Sequence, residues 1–337
     1  MTLDMAIVGA GVAGSSLYRL ITLGQYNDEL RVDLYSIREN QACGIHPCAW
    51  MTHVPDFRMM MNLLRMDADR YILREFSSVD FDGFPTGCDL GMIHKPQLLK
   101  DMKGTAPVRF DPVDADAYDL VVDCTGAARA LLPPAQDDLI TSTLQYRVRR
   151  DSPQSDDPLP SIRFIKIGYA WSFPLDHNHF HIGVGSLVEE LAPSLRRTGL
   201  MHPDDTVVCQ CQGKVRVGTP NRMAPIHWRN VWGVGESIGT VSPLVGDGIV
   251  PSIQCAALFA EYLAEGTPNR YPERVLSEFS WMAKEREVID RMIAHDGRIG
   301  MRDLLVMRNH AHRFGFQLGA KWIFSWLAGK PGRERGA

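Results

Sequence analysis

Near the start of the chain, a short apolar run is followed by three spaced glycines and then by a stretch with helical periodicity. The run Met5–Val8 predicts a strand, and Ser15–Ile21 predicts a helix. Gly9 permits a tight turn, Gly11 lets the backbone approach a pyrophosphate, and Gly14 lets the helix pack closely on the strand. The helix N-terminus then presents amides and the positive end of its dipole to the phosphates. This order of elements predicts dinucleotide binding, with a plain glycine-rich turn as the alternative.

The second predicted strand, Leu30–Ser36, ends where dinucleotide-binding units carry an acidic residue for the ribose hydroxyls. Ser36 occupies that position, and its hydroxyl can hydrogen-bond a ribose less firmly than a carboxylate can. Glu39 is a nearby acidic substitute, whereas Asp33 is predicted to point elsewhere from the middle of the strand. Ser36 is therefore a candidate cofactor residue whose ribose contact stays open.

Composition narrows the class of protein. The 337 residues are 45% hydrophobic and 23% charged, which is typical of a globular protein. Lys and Arg number 36 against 40 for Asp and Glu, so the net charge of -4 argues against a nucleic-acid partner. No apolar window reaches the roughly 18 residues of a transmembrane helix, and the first residues lack the cationic region of a signal peptide.

The seven cysteines are an odd number scattered along the chain, which predicts reduced thiols and a cytoplasmic location. Cys43 and Cys48 are separated by four residues, and Cys209 and Cys211 by one. Neither spacing matches the C-x2-C pairs of common zinc and iron–sulfur sites. We therefore predict no metal site.

Two later segments repeat the pattern of a strand followed by a turn of small residues. Tyr118–Ala128 reads as a buried parallel strand that closes on such a turn, and Asn230–Gly239 as a strand that delivers the carboxylate of Glu236. A glycine-rich loop, Pro243–Ile249, then precedes a predicted helix, Val250–Leu263. Glycine loops this far apart imply a ligand contacted at its phosphates and again at its far end, whereas NAD enzymes need only the first loop.

Together these segments resemble the geranylgeranyl reductase family of FAD-dependent, p-hydroxybenzoate-hydroxylase-like flavoproteins. The segments Gly168–Leu175 and Phe180–Gly185 are similar to the family's YxWxFP and GxG signatures. Cys43 and Gly44 lie where the family has a Cys-Gly pair, and His94–Leu99 is similar to its RPxFDxxL helix start with Lys95 in place of arginine. The resemblance implies an enzyme that uses reduced FAD to saturate isoprenoid double bonds.

The resemblance also implies roles for individual residues. Glu236, where the family usually has Asp, would contact the ribityl chain or the pyrophosphate, and Gly246 and Gly248 would allow close approach of the flavin. The predicted cofactor-binding residues are Gly9, Gly11, Gly14, Ser36, Gly44, Lys95, Thr125, Gly126, Gly235, Glu236, Gly246, Gly248 and Ile249.

Three aromatic residues alternate along one predicted strand and so share one of its faces. They are Tyr169, Trp171 and Phe173, and Pro174 ends the strand. An aromatic-walled apolar cavity suits a prenyl chain, because its binding is mainly burial of apolar area. We predict these four residues to bind substrate, with ordinary packing in a sheet core as the alternative.

Cys43 and His46 follow the second strand, in a loop that the resemblance implies would face flavin and substrate, and they are the predicted catalytic residues. An imidazole titrates near neutral pH and is a suitable proton donor. The alternatives are a small buried cysteine and a solvated loop histidine. His177 and His179 are assigned to a polar hairpin tip.

The predicted fold class is α/β, with a Rossmann-like FAD-binding domain, a β-sheet substrate domain and C-terminal helices. The FAD-binding domain is discontinuous and takes residues 1–65, 90–135 and 218–265. The substrate-binding sheet takes residues 66–89 and 136–217, and a helical region takes 266–337. A second GxGxxG unit is missing, so electrons are expected from transiently docked NAD(P)H or from a redox protein.

The pattern of the C-terminal region has two interpretations, membrane docking and closure of the substrate domain. Lys284–Arg313 shows helical periodicity, and Trp322 and Trp326 in the following apolar stretch share one helical face. They could dock on an anionic membrane, which would make the protein peripheral there, or the helices could seal the substrate domain. Two other functions stay open: a flavin-dependent monooxygenase or halogenase, whose WxWxIP motif is partly matched at Tyr169–Pro174, and a non-catalytic flavin- or lipid-binding protein.

Overall fold

In the described residues, the strands form two β-sheets, and helices pack against both. The computed structural model describes residues 3–24, 30–37, 49–151 and 157–319. The strands in these ranges are β1 (Leu3–Val8), β2 (Leu30–Tyr35), β3 (Met51–His53), β4 (Ile72–Phe81), β5 (Phe84–Ile93), β6 (Val108–Arg109), β7 (Leu120–Asp123), β8 (Ile140–Arg149), β9 (Ser161–Ile165), β10 (Gly168–Pro174), β11 (His179–Ser186), β12 (Thr206–Arg216), β13 (His227–Trp228), β14 (Val231–Gly233) and β15 (Phe316–Gln317). The helices are α1 (Val12–Leu23), α2 (Val54–Leu63), α3 (Lys95–Lys103), α4 (Leu191–Arg197), α5 (Ile249–Ala264), α6 (Tyr271–Glu278), α7 (Met282–Ala294) and α8 (Met301–Ala311).

The first sheet has six strands in the order β13-β14-β7-β1-β2-β6, and every pair except β13 with β14 is parallel. Its central strands are buried on both faces, which explains their unbroken apolar runs: Ile7, Val121 and Val122 have no exposed surface. In a parallel sheet the carboxyl ends of the strands meet at one edge. The loops after β1, β7 and β14 therefore meet there, although their residues are far apart in the chain.

Helices α1 and α5 pack beside each other on this sheet, and α6 covers α5. Leu17 of α1 and Phe259 of α5 are completely buried in the shared core. Tyr271 of α6 is also completely buried, and its hydroxyl donates a hydrogen bond of 2.9 Å to the carbonyl of Gly233. The predicted α/β class with a dinucleotide-type sheet is confirmed.

The second sheet has nine strands, in the order β12-β8-β11-β10-β9-β4-β5-β15, with β3 paired to β5. Strands β10 and β11 form an antiparallel hairpin in which Trp171 lies opposite Gly183. The strand β3 lies within a segment predicted for the FAD-binding domain yet pairs in this second sheet, as does β15 of the predicted helical region. The domain boundaries themselves stay a prediction.

The C-terminal helices α7 and α8 pack against each other and continue into β15, which closes on β5. Phe314, Phe316 and Leu318 are buried in the core that the second sheet forms with α2 and α8. Among the described helices, none has the length and apolar character needed to cross a bilayer. The segment with Trp322 and Trp326 lies outside the described residues.

Candidate functional site

The loop between β1 and α1 is shaped by three glycines with different surroundings. Gly9 has a φ of +108°, and a Cβ there would lie 2.3 Å from the carbonyl oxygen of Cys124. A Cβ on Gly14 would lie 1.9 Å from the carbonyl oxygen of Gly9, so only glycine lets α1 begin this close to the loop. Gly11 faces open space, with nothing within 4 Å of a Cβ, and no side chain of the described residues caps the helix. The helix N-terminus is therefore accessible to an anionic group.

The loop after β7 is fixed by a buried carboxylate at the end of that strand. Asp123 accepts hydrogen bonds from the backbone N–H of Thr125 (3.0 Å), Leu131 (2.9 Å) and Leu132 (3.1 Å), and one from the Thr125 hydroxyl (2.6 Å). Gly126 follows with a φ of +64°, and a Cβ there would lie 3.2 Å from Oε2 of Glu236. The predicted residues Thr125, Gly126 and Glu236 therefore lie together.

Glu236 lies in the loop after β14 and is partly buried. Its Oε1 accepts a hydrogen bond of 2.8 Å from the backbone N–H of Arg216. Burial raises the pKa of Glu236, while that hydrogen bond and the positive charges of Arg216 and Lys95 oppose the increase. Lys95, at the start of α3, is thus close enough to act on this carboxylate. Gly235 lies against α1, where a Cβ would be 2.6 Å from that of Ala13.

These loops are the predicted binding site of a dinucleotide. The N-terminus of α1 could hold the pyrophosphate, with the carboxylate of Glu236 on one side and the end of β2 on the other. Ser36 lies directly after β2, is partly exposed, and its N–H donates a hydrogen bond of 2.9 Å to the carbonyl of Arg109. Its hydroxyl is available to a ribose on that side. The assignments of all these residues to cofactor binding remain predictions.

Three predicted residues of the loop after β2 lie outside the described residues. They are Cys43, Gly44 and His46. Their catalytic and cofactor-binding roles stay predictions.

The glycine loop before α5 brings the predicted flavin end of the site to the second sheet. Gly246 is exposed, with a φ of +72°, and Gly248 begins α5 with a potential Cβ 2.8 Å from Val241. Asp247 lies between them, and its carboxylate accepts hydrogen bonds from the N–H of Ile249 (2.9 Å) and the hydroxyl of Thr52 (3.0 Å). Burial raises the pKa of Asp247 to about 6. This loop joins the N-terminus of α5 to β3 of the second sheet.

An apolar cavity of about 130 Å³ adjoins the loop before α5. It is bordered by the second sheet, by α8 and by the segment that follows α8. The lining residues are Ala49, Trp50, Met51, Thr52, His53, Phe81, Leu90, Ile162, Phe164, Tyr169, Phe173, Leu244, Val245, Gly246, Asp247, Gly248, Ile249, Glu285, Met307, His310, Ala311, Phe314, Phe316 and Leu318.

The predicted aromatic row lies along this cavity. Tyr169 and Phe173 line it, and the Tyr169 hydroxyl donates a hydrogen bond to the carbonyl of Val245. Trp171 lies between them, with ring centroids 5.8 Å from Tyr169 and 6.4 Å from Phe173, and its ring covers Gly183. Pro174 is buried at the end of β10 and is not among the lining residues. Two of the four predicted substrate residues thus border the cavity directly.

Sequence reasoning missed the polar groups of the cavity wall. Glu285 of α7 and His310 of α8 both line the cavity, with Nδ1 of His310 2.9 Å from Oε1 of Glu285. Both residues lie in the periodic stretch Lys284–Arg313. A single sequence does not show that the side chains of two successive helices point toward the loop that contains Ser242 and Leu244. The assignment of the C-terminal helices as a seal on the substrate domain stays a prediction.

His181 of β11 is buried completely beside Trp50, with ring centroids 4.6 Å apart. Burial lowers the pKa of His181 to about 4, so the ring is neutral near pH 7. The turn between β10 and β11 contains His177, and Asp176 binds Nδ1 of His179 at 2.9 Å. No group of three or more metal-ligating side chains is found within the described ranges.

The chain is similar in sequence to two known proteins. No family model matches the chain. It is 24% identical to an uncharacterised protein of Methanocaldococcus jannaschii over 85% of this chain and 91% of that one. It is 27% identical to digeranylgeranylglycerophospholipid reductase 1 of Methanopyrus kandleri, over 48% of each chain, so that match spans about half of the reductase.

Two solved structures show the same fold. A geranylgeranyl bacteriochlorophyll reductase-like protein of Thermoplasma acidophilum superposes with a TM-score of 0.69 at 18% identity, over 91% of this chain and 96% of that one. A tryptophan 6-halogenase of Streptomyces toxytricini superposes with a TM-score of 0.64 at 15% identity, over 90% and 81% of the two chains.

The chain is thus an α/β protein with the fold of the reductase-like protein and of the halogenase. Among these proteins, the chain resembles the geranylgeranyl-reductase-like flavoproteins, and the resemblance seen in its sequence is confirmed.

Proposed function

We propose that this protein is an FAD-dependent reductase that saturates a carbon–carbon double bond of an isoprenoid lipid or a related apolar substrate. The observation that carries the proposal is a junction: the loop before α5 borders both the dinucleotide-type edge of the first sheet and an aromatic, apolar cavity. A cofactor that extends from α1 to α5 would bring its reactive end to the wall of that cavity.

We favour FAD over the shorter FMN. The predicted contacts include both the N-terminus of α1 and the loop before α5, and a dinucleotide with a central pyrophosphate can use both. Reduced FAD supplies the hydride and its two electrons when bound. The chain itself binds the cofactor, holds the substrate against it and keeps water away, for which the buried side chains around Phe173 and Phe316 are suited.

The substrate class follows from the walls of the cavity and from the names of the relatives. Most lining side chains are aromatic or aliphatic, and burial of apolar area is what binds a prenyl chain. The Methanopyrus relative is named for a digeranylgeranyl lipid and the Thermoplasma structure for a geranylgeranyl substrate. We extend this class to the present chain, together with a peripheral contact with a membrane and NAD(P)H or a redox protein as electron donor.

The test begins with the visible spectrum of the purified protein. We expect flavin absorption bands, either at once or after addition of FAD, with weaker binding of FMN. The reduced holoenzyme is then mixed without oxygen with digeranylgeranylglycerophospholipid in micelles, and mass spectrometry should show a gain of two hydrogens for each reduced bond. A protein that binds no flavin, or a reduced flavin that persists beside unchanged lipid, contradicts the proposal.

A flavin-dependent halogenase or monooxygenase is the second candidate, because the Streptomyces halogenase superposes almost as well as the reductase-like protein. These reactions consume oxygen, whereas the proposed reduction proceeds without it. Oxygen consumption by the reduced enzyme that is coupled to a hydroxylated or halogenated product would favour this second candidate.

A further inference from the structure

The apolar cavity contains one carboxylate that is fully shielded from water. Glu285 of α7 has no exposed surface, yet two elements satisfy its oxygens. Oε2 accepts a hydrogen bond of 2.6 Å from the Ser242 hydroxyl and a longer one of 3.4 Å from the N–H of Leu244. Oε1 lies 2.9 Å from Nδ1 of His310. The carboxylate thus ties α7 and α8 to the loop that precedes α5.

The same contact fixes the ring of His310. A carboxylate can only accept a hydrogen bond, so Nδ1 donates its N–H to Glu285 and Nε2 is the nitrogen left for other partners. The ring also packs edge-to-face on Trp281, with the centroids 6.0 Å apart. His310 lines the cavity, and Nε2 has no hydrogen-bond partner among the described residues. The imidazole is therefore held through Nδ1 on the wall of the cavity, and Nε2 is the nitrogen left for a further partner.

A second histidine on the cavity wall lacks this arrangement. His53 pairs with Asp56 at 2.8 Å, three residues along the chain, and the side chain of Asp56 is 39% exposed. Water reaches that carboxylate and screens its charge. The side chain of Glu285 is 0% exposed, so water does not compete for its contact with His310. A buried carboxylate on Nδ1 fixes the orientation of the imidazole ring.

We propose that His310 is the proton donor to the substrate in this cavity and that Glu285 is the positioning residue that orients it. This proposal rests on the proposed function. The proton leaves Nε2 and forms a C–H bond with the electron pair of the double bond, as the hydride and its two electrons reach the other carbon from reduced FAD. His310 is left neutral, with its remaining proton on Nδ1 toward Glu285, and regains the lost proton from solvent before the next turnover.

The experiment measures a single turnover of the full-length holoenzyme. Reduced enzyme and digeranylgeranylglycerophospholipid micelles are mixed without oxygen, and flavin reoxidation and lipid product are followed together. General acid catalysis contributes about 10²- to 10⁴-fold, so H310N should slow both signals at least 100-fold while FAD affinity is unchanged. E285Q, which keeps the shape of the side chain and removes its charge, should slow them about tenfold. H312N alters an exposed histidine two residues away and should match the wild type.

A second measurement uses the protein without flavin. The ¹⁵N spectrum of histidine-labelled protein, recorded where the rings are neutral, should contain an Nδ1-protonated tautomer that is lost in H310N. A His310 protonated on Nε2 instead would overturn the positioning role of Glu285. If the wild type reduces lipid and H310N reduces it within twofold of that rate, the donor role alone is overturned. If the wild type makes no product at all, the proposed function falls and the donor role falls with it.

Discussion

Gly11 and Gly14 lie three residues apart in the first loop, and substitution by alanine should have a different effect at each. We expect Gly14→Ala to lower stability and Gly11→Ala to weaken cofactor binding. In Gly14→Ala the new methyl group would lie 1.9 Å from the backbone oxygen of Gly9, so the loop has to move. Overpacking of this kind costs about 1–3 kcal/mol. For 337 residues that unfold together, an entropy of roughly 2.1 cal/mol/K per residue converts this to a loss of about 1.5–4 °C in Tm. In Gly11→Ala the methyl group meets nothing within 4 Å, and the cost is at most about 1 kcal/mol for a poorer helix cap.

The two variants therefore separate folding from cofactor binding. Thermal melts of flavin-free protein should show G14A well below the wild type and G11A close to it. Titration of FAD, followed by quenching of its fluorescence, should show that G11A binds at least tenfold more weakly, because its methyl group occupies the approach of the pyrophosphate. Tenfold corresponds to about 1.4 kcal/mol. G11A with wild-type affinity for FAD would refute the placement of the pyrophosphate, and G14A with a wild-type Tm would refute the packing argument.

Three other perturbations test the packing and the buried charges. Gly183→Ala would place a methyl group 2.3 Å from the Trp171 ring, which should cost about 1–3 kcal/mol, and W171F should recover part of this loss in urea unfolding. Arg129 donates hydrogen bonds to the carbonyls of Pro133 (2.8 Å), Ser237 (2.6 Å) and Pro225 (2.7 Å). R129M removes all three donors, so its unfolding free energy should fall by about 3–5 kcal/mol. A loss under 1 kcal/mol would contradict this account. Asp247, with its pKa raised to about 6, destabilises the fold as pH rises from 4 to 6, whereas His181, with its pKa lowered to about 4, destabilises it as pH falls from 6.5 to 4. The unfolding free energy of D247N, relative to that of the wild type, should increase by about 3 kcal/mol as pH rises from 4 to 6. That of H181F should increase by about 3 kcal/mol as pH falls from 6.5 to 4, and urea unfolding at each pH measures both changes.

The loops that are predicted to bind the cofactor could be located in the sequence because their geometry is local. The strand, the glycine turn and the helix follow one another within about fifteen residues. The turn needs a φ of +108° at Gly9, and the glycine at that position indicates it in the sequence. The same holds for the loops that carry Gly126 and Glu236. Their convergence also followed from the sequence, since parallel strands bring their carboxyl ends to one edge.

The cavity was predictable only in part, because its walls come from distant segments. Period-two alternation placed Tyr169 and Phe173 on one face, yet it gave no sign that Pro174 lies away from the cavity. Glu285 and His310 belong to separate helices and meet only through tertiary packing with the Ser242 loop. Helical periodicity shows which residues share a face and does not show what that face covers.

The difference between the predicted cofactor loops and the cavity bears on how one fold can serve different reactions. A reductase-like protein and a halogenase superpose on this chain almost equally well, so the shared architecture does not choose the reaction. The loops predicted to bind the cofactor are rich in glycine, and such loops suit any flavin chemistry. We therefore expect the choice of reaction to depend on the titratable groups at the cavity of the second sheet. In the described residues the titratable groups on the cavity wall are His53, Tyr169, Asp247, Glu285 and His310, and of the two carboxylate–histidine pairs only Glu285–His310 is shielded from water. We therefore expect substitutions in α7 and α8 to alter the proposed reaction more than the binding of the predicted cofactor.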